Sequence, residues 1–414
     1  MLILILGNIR AFAPDEQSYV DAFDNLYGSD FSLASYGGWW NAQINFLRIL
    51  YIPPKIFSFL PVSDLTLLRI YSCSLFLLGL LLLVRYSNLA QSKLGKVAII
   101  LFAFTPSTFL WTTLAIKESF IFFFLIIFFV GLRFIISSLL IQGFLICFIS
   151  GYALLNLKGY LYVVLTLAVL LAIFFRAATS FNLAKPAMLL LIAVILPFSL
   201  NPATSALMIE SAIGFSNKLS EFRVVDEIYQ PNSTQPNSTQ SPGNLGMTMN
   251  LLTYEQNQNS AFNAALKILH LDDYLEDKAR VYRNLSPVEL NKVRSLDPAN
   301  PTDLGPFIEG VMSFLFYPNV FRNNGSPILD LLGLESLIWV ILYLIFFIVV
   351  LENRSEFRRL DTRCVLIFSF GFLLMSEMTE INLGTAIRHR SVLALLIVIL
   401  ISTLVTNKNS QVKI

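Results

Sequence analysis

Polar residues in this chain are interruptions between apolar runs. Runs near 65–84, 97–114, 119–136, 139–157, 159–175, 186–200, 331–351, 364–380 and 391–406 each approach the roughly 20 residues a helix needs to cross a bilayer. Met1-Leu-Ile-Leu-Ile-Leu is too short to cross. Ala11-Phe12-Ala13 mimics a signal cleavage site, but the basic segment and long apolar core of a signal peptide are missing. The stub reads as the outer end of a first span that begins upstream. The pattern predicts an all-α, polytopic membrane protein with about 9–10 transmembrane helices and an extracytoplasmic helical/loop insertion.

Three regions follow: 1–200, an N-terminal transmembrane region with a long first loop; 201–329, the polar insertion; and 330–414, the C-terminal transmembrane helices. The first loop carries acidic residues (Asp21, Asp24, Asp30), Trp39-Trp40 and Pro53-Pro54, a mixture suited to the membrane–water interface. Within the insertion, 204–228 could form an amphipathic helix. Gln230-Pro-Asn-Ser-Thr is then repeated from Gln235. This low-complexity stretch buries no apolar surface, so a disordered linker is expected over 230–246. A charged helical pattern resumes over 259–296 and contains His270, Asp272 and Asp273. These fit either a solvated helix face or a metal site. Asn232, Asn237 and Asn284 lie in glycosylation sequons.

Of 414 residues, 56% are hydrophobic and 14% charged, against about 25% charged in soluble domains. No basic cluster interleaved with aromatics points to nucleic acid. Cys73, Cys147 and Cys364 lie in or beside apolar runs and form no metal or disulfide spacing. Arg85, Lys93, Lys96, Arg133, Arg176, Lys185, Arg354, Arg358, Arg359, Arg363, Lys408 and Lys413 fall on one side of the predicted array. They outnumber Lys117, Lys158, Arg388 and Arg390 on the other. The richer side is expected to be cytoplasmic, in a multi-pass protein of the cytoplasmic (inner) membrane. The segments with surplus polar groups then all face outward.

The first of these is Ala13-Pro14-Asp15-Glu16-Gln17-Ser18-Tyr19. Pro14 suits the first position of a helix. Asp15 and Glu16 then occupy the first turn, where the helix dipole favours carboxylates. Asp15 and Tyr19 share a face. An ordinary helix start would look the same. The second is Lys117-Glu118, an acid leading into a membrane helix, which suggests a wet cavity, a basic partner or catalysis. Lys158 lies in a very short turn and either marks a helix end or meets a phosphate. The last is Glu377 to Arg390, ending Gly384-Thr-Ala-Ile-Arg388-His389-Arg390. Arginine presents a planar fork to phosphate oxygens. On a helix, Arg388 and Arg390 would diverge by about 200°; in an extended segment they would share a side. Arg388 is the favoured phosphate ligand, and a salt bridge to Glu377 or Glu380 is the structural alternative.

Together these features resemble the GT-C glycosyltransferases, especially lipid-A aminoarabinose transferases and protein O-mannosyltransferases. The likeness lies in Asp15-Glu16-x-x-Tyr19 in the first outer loop, a second acidic site at Glu118, and Gly384-x-x-x-Arg388-x-Arg390 before the last span. The third motif is similar to one in exopolysaccharide membrane proteins. The resemblance implies transfer of a sugar from a polyprenyl-phosphate-linked donor to a glycan, lipid or protein acceptor at the outer membrane surface. Asp15 would be the base, Glu16 the next choice. Glu118 would position the acceptor or a divalent cation. Arg388, His389, Arg390, Lys158 and Lys117, with Tyr19, would hold substrate and phosphate. Two alternatives remain: an O-antigen-type polymerase or ligase, in which Arg388, His389 and Arg390 outweigh Asp15, and a lipid-linked sugar flippase.

Overall fold

The structure is a computed structural model that describes residues 14–24, 46–87, 89–177, 184–201, 311–312, 314–316, 327–379 and 383–405. Every regular element among them is a helix. Residues 1–213 and 310–414 form one compact unit, so helices from both ends of the chain pack together. A second unit, 214–309, lies outside the described residues. With it go the expected helices at 204–228 and 259–296, the linker over 230–246, and His270, Asp272 and Asp273.

α1 (Pro14–Asp24) starts at the expected proline. After the short α2 (Ile52–Ile56) comes α3 (Asp64–Tyr86), whose first turn is capped by the Ser63 hydroxyl accepting from the Thr66 N–H at 3.3 Å. The run read as one span over 97–114 is two helices, α4 (Lys93–Phe104) and α5 (Pro106–Thr113), bent by 57°. Pro106 has no N–H to continue the ladder and drives Thr105 into extended backbone. The apolar pattern alone does not register that break. Then follow α6 (Glu118–Ile136), α7 (Leu140–Leu157), α8 (Gly159–Ala177), α9 (Ala184–Leu200), α10 (Pro327–Glu352), α11 (Leu360–Thr379) and α12 (Leu383–Leu404).

Five of these helices are long and apolar enough to cross a membrane, or six if α4 and α5 count as one broken span. Gly159–Phe175 and Lys185–Leu200 are apolar but shorter. The protein is therefore an all-α, multi-pass membrane protein. Its surface agrees: Leu77, Leu81, Phe104, Ile141, Phe174 and Phe347 point outward, an arrangement costly in water and natural in lipid. Inside, Phe76, Phe102 and Phe122 bring α3, α4 and α6 into a three-ring cluster with centroids 6.0–6.1 Å apart. At the α6–α7 crossing, a Cβ on Gly143 would sit 2.6 Å from the Ile135 nitrogen and 2.7 Å from the Gly131 oxygen. Only glycine permits that backbone approach.

α12 is the hub. It packs against α4, α5, α6, α10 and α11, and 94% of its apolar window is buried. Its first turns carry Arg388, His389 and Arg390, so these three side chains open from the centre of the bundle at one end.

Candidate functional site

The end of the bundle where α3, α6, α8 and α12 begin gathers polar groups from distant parts of the sequence. The first link is made by Glu16, on the first turn of α1. Arg69 of α3 donates to it through Nε to Oε1 and Nη2 to Oε2, both at 2.8 Å, and the Ala115 N–H donates to Oε1 at 2.8 Å. Glu16 is fully buried and Arg69 nearly so. Both carboxylate oxygens are thus taken, and the pair ties α1 to α3 and to the turn between α5 and α6. In the sequence Glu16 ranks second to Asp15 as a base; here its geometry is that of a structural clamp. Asp15 precedes it on the same helical turn, with its side chain outside the described residues. Tyr19, one turn along, is packed in the core.

The turn held by Glu16 delivers Lys117 and Glu118. Lys117 precedes the first residue of α6, and Glu118 opens the helix, as expected. Glu118 is 1% exposed and lies 3.3 Å from Nη1 of Arg388. Neither of its oxygens has a hydrogen-bond partner, and the Arg388 guanidinium carbon lies over the Trp111 ring of α5, 4.6 Å from its centroid. The Tyr51 phenol is held protonated, its pKa pushed up by burial and then by Tyr71 and the Glu118 charge.

On the next face of the hub, His389 meets Lys158 and Tyr160 from the α7–α8 turn. Lys158 Nζ lies 2.6 Å and the Tyr160 hydroxyl 2.9 Å from His389 Nε2. An ammonium can only donate, so Nε2 accepts and the ring proton belongs on Nδ1. The charges of Lys158, Arg388 and Lys117 all act on this ring. Arg390 points away toward α10, within electrostatic reach of Glu335 and Tyr343. Glu335 accepts from the Ser107 N–H at 3.0 Å, from the Ser107 hydroxyl, and from Trp339 Nε1 at 3.0 Å. It thereby caps the broken half-helix α5. Ser107 and Ser391 also share a hydrogen bond at 3.2 Å.

No known protein family, curated protein or solved structure matches this chain.

Because α12 is helical from Leu383 onward, Arg388 and Arg390 diverge, and the extended arrangement that would align them is not adopted. Successive residues turn by about 100°, so Arg388, His389 and Arg390 face α5 and α6, then the α7–α8 turn, then α10. Arg388 pairs with Glu118; the side chains of Glu377 and Glu380 lie outside the described residues. Lys117, Glu118, Lys158, Arg388 and His389 are brought together, while Arg390 belongs to a separate cluster. Sequence reasoning passed over Arg69, Trp111 and Glu335. A signal for two of them existed, since Arg69 and Glu335 are ionisable residues within apolar runs, and such residues demand a buried partner. No group of three or more metal-ligating side chains exists among the described residues.

Proposed function

We propose that this protein, with about nine or ten crossings, is a GT-C-like glycosyltransferase of the cytoplasmic membrane. It moves a sugar from a polyprenyl-phosphate-linked donor to a glycan, lipid or protein acceptor at the extracytoplasmic face, in cell-surface polysaccharide or glycoconjugate synthesis. The observation that carries this reading is the meeting of Glu118 with Arg388, 3.3 Å apart, beside the Lys158–His389 contact of 2.6 Å. An acid and several cations share one end of an apolar bundle, where a lipid-borne phosphate and its sugar would arrive.

The acceptor oxygen forms a bond to the anomeric carbon, and the bond from that carbon to the phosphate oxygen breaks. Polyprenyl phosphate leaves with the electron pair. The acceptor proton passes to a carboxylate, proposed to be Asp15, whose helical turn the Glu16 clamp anchors beside the α5–α6 turn. Arg388, with Lys158, Lys117 and His389 near it, offsets the charge that develops on the leaving phosphate. Glu118 orients the acceptor hydroxyl. Transfer of radiolabelled sugar from a polyprenyl-phosphate donor in reconstituted vesicles tests this. Asp15→Ala should abolish transfer while expression and membrane insertion stay normal; near-normal transfer would overturn the assignment.

One observation favours a second reading, a flippase for lipid-linked sugars. The α4–α5 break leaves a half-helix whose start faces the buried Glu335, and discontinuous helices with buried ionisable groups are a transporter device. Movement of a lipid-linked sugar across vesicles without formation of any glycosylated product would favour it.

A further inference from the structure

Among the described residues, three buried acids stand at this end of the bundle, and they are not equivalent. Glu16 accepts from Arg69 through two nitrogens and from the Ala115 N–H. Glu335 accepts from the Ser107 N–H, the Ser107 hydroxyl and Trp339. Glu118 is as buried as either, yet neither of its oxygens accepts a hydrogen bond. A buried carboxylate without donors is costly, and a protein that saturates two such groups has the means to saturate the third. What Glu118 has instead is one arginine at 3.3 Å that is close but not aligned as a donor.

That arginine is held in an unusual way. Its guanidinium lies over the Trp111 ring at 4.6 Å. A cation–π contact of this kind holds the charge over the ring without using a carboxylate or phosphate acceptor. A guanidinium held over a ring can redirect donors between neighbouring acceptors while keeping that contact. The cations Lys117 and Lys158 act on the adjacent His389, so the field beside Arg388 draws an anion.

We infer that the phosphate of a lipid-linked donor and the carboxylate of Glu118 compete for the Arg388 guanidinium, so that phosphate docking releases Glu118 to accept the hydroxyl of the incoming acceptor. This rests on the transferase reading above and adds an order to it: donor phosphate first, acceptor second. Charge neutralisation by Arg388 holds Glu118 in its buried position until the phosphate takes the better-aligned bidentate pair.

The test is binding of undecaprenyl phosphate to the full-length protein in nanodiscs, with thermal melts recorded for each variant. Glu118→Gln should bind on the order of tenfold tighter than the unaltered protein, because the competitor is gone. In an Arg388→Gln background the same change should bring no gain. Glu118→Asp, which keeps the charge and withdraws it by one methylene, should gain about twofold or more; it carries the test if Glu118→Gln does not fold. Unchanged or weaker binding in the Glu118 variants would overturn the proposal, as would a gain that persists without Arg388. If that pattern fails while Arg388→Gln still abolishes sugar transfer, the sharing is wrong and the transferase reading stands. Failure of the unaltered protein to bind undecaprenyl phosphate would remove both.

Discussion

Glu16 and Arg69 stand 53 positions apart in the sequence and meet as a doubly hydrogen-bonded ion pair, with both contacts at 2.8 Å and almost no exposure on either side chain. The pair, with the Ala115 N–H, joins the first helix to the membrane bundle and fixes the turn that delivers Glu118. Removing one member strands a buried charge. Arg69→Ala or Glu16→Ala should therefore cost about 3–5 kcal/mol of stability, read as a lowered melting temperature in detergent. Replacing both with apolar residues, Glu16→Leu with Arg69→Met, should recover much of that loss. A double variant no more stable than the singles would show that the clamp contributes more than charge balance.

Glu335 makes a second, separable prediction. It caps α5 through Ser107 and also receives Trp339. Glu335→Ala leaves the Ser107 N–H and Trp339 Nε1 without this acceptor and removes a charge that offsets the nearby Arg390, at a cost of about 3–5 kcal/mol. Glu335→Gln keeps an oxygen in place and should cost nearer 1–2 kcal/mol. Denaturation of the two variants side by side gives the comparison; equal losses would mean that volume, not the acceptor, is what Glu335 supplies.

The lower end of α1 titrates in the neutral range. Partial burial and the facing Asp64 carboxyl, to which it is hydrogen-bonded, push Asp24 up to about 7, with Asp21 adding and Lys55 opposing. The folded state thus favours the protonated form. The stability this contributes is fully present below the ordinary carboxylate value of about 4 and is lost as pH rises through about 7. Measured between pH 5 and pH 8, the unaltered protein should lose stability relative to Asp24→Asn as pH increases. A flat difference across that interval would mean the two carboxyls do not share a proton. The Asp24 side chain is exposed overall, so the effect concerns docking of α1 rather than the whole bundle.

Much of this arrangement follows from counting. If each apolar run crosses once, Lys117-Glu118, Lys158 and Arg388-His389-Arg390 fall at turns of the same parity, and the Glu118–Arg388 and Lys158–His389 contacts bring those turns to one end. The start of α1 at Pro14 and of α6 at Glu118 was equally readable, because proline and acidic residues in a first turn have local causes. Glu16 shows where that kind of reading stops. Its place on the helix was evident, while its partner was not, and the partner is what makes it the link between α1 and α3.

By itself, then, the sequence determined that the chain is helical, that it crosses a membrane several times, and which polar residues share an end. Only the tertiary structure decided that Glu16 belongs to Arg69 and Glu118 to Arg388, that α12 is the hub, and that α4 and α5 are two helices. The reason lies in the solvent. In water, the apolar stripe of a helix tells which face turns inward. In lipid, tails and neighbouring helices are equally apolar, so these helices are greasy all round and carry no such label. Their rotation is set by close packing at points such as Gly143 and by the need of each buried charge for a partner, and neither is written in a periodicity.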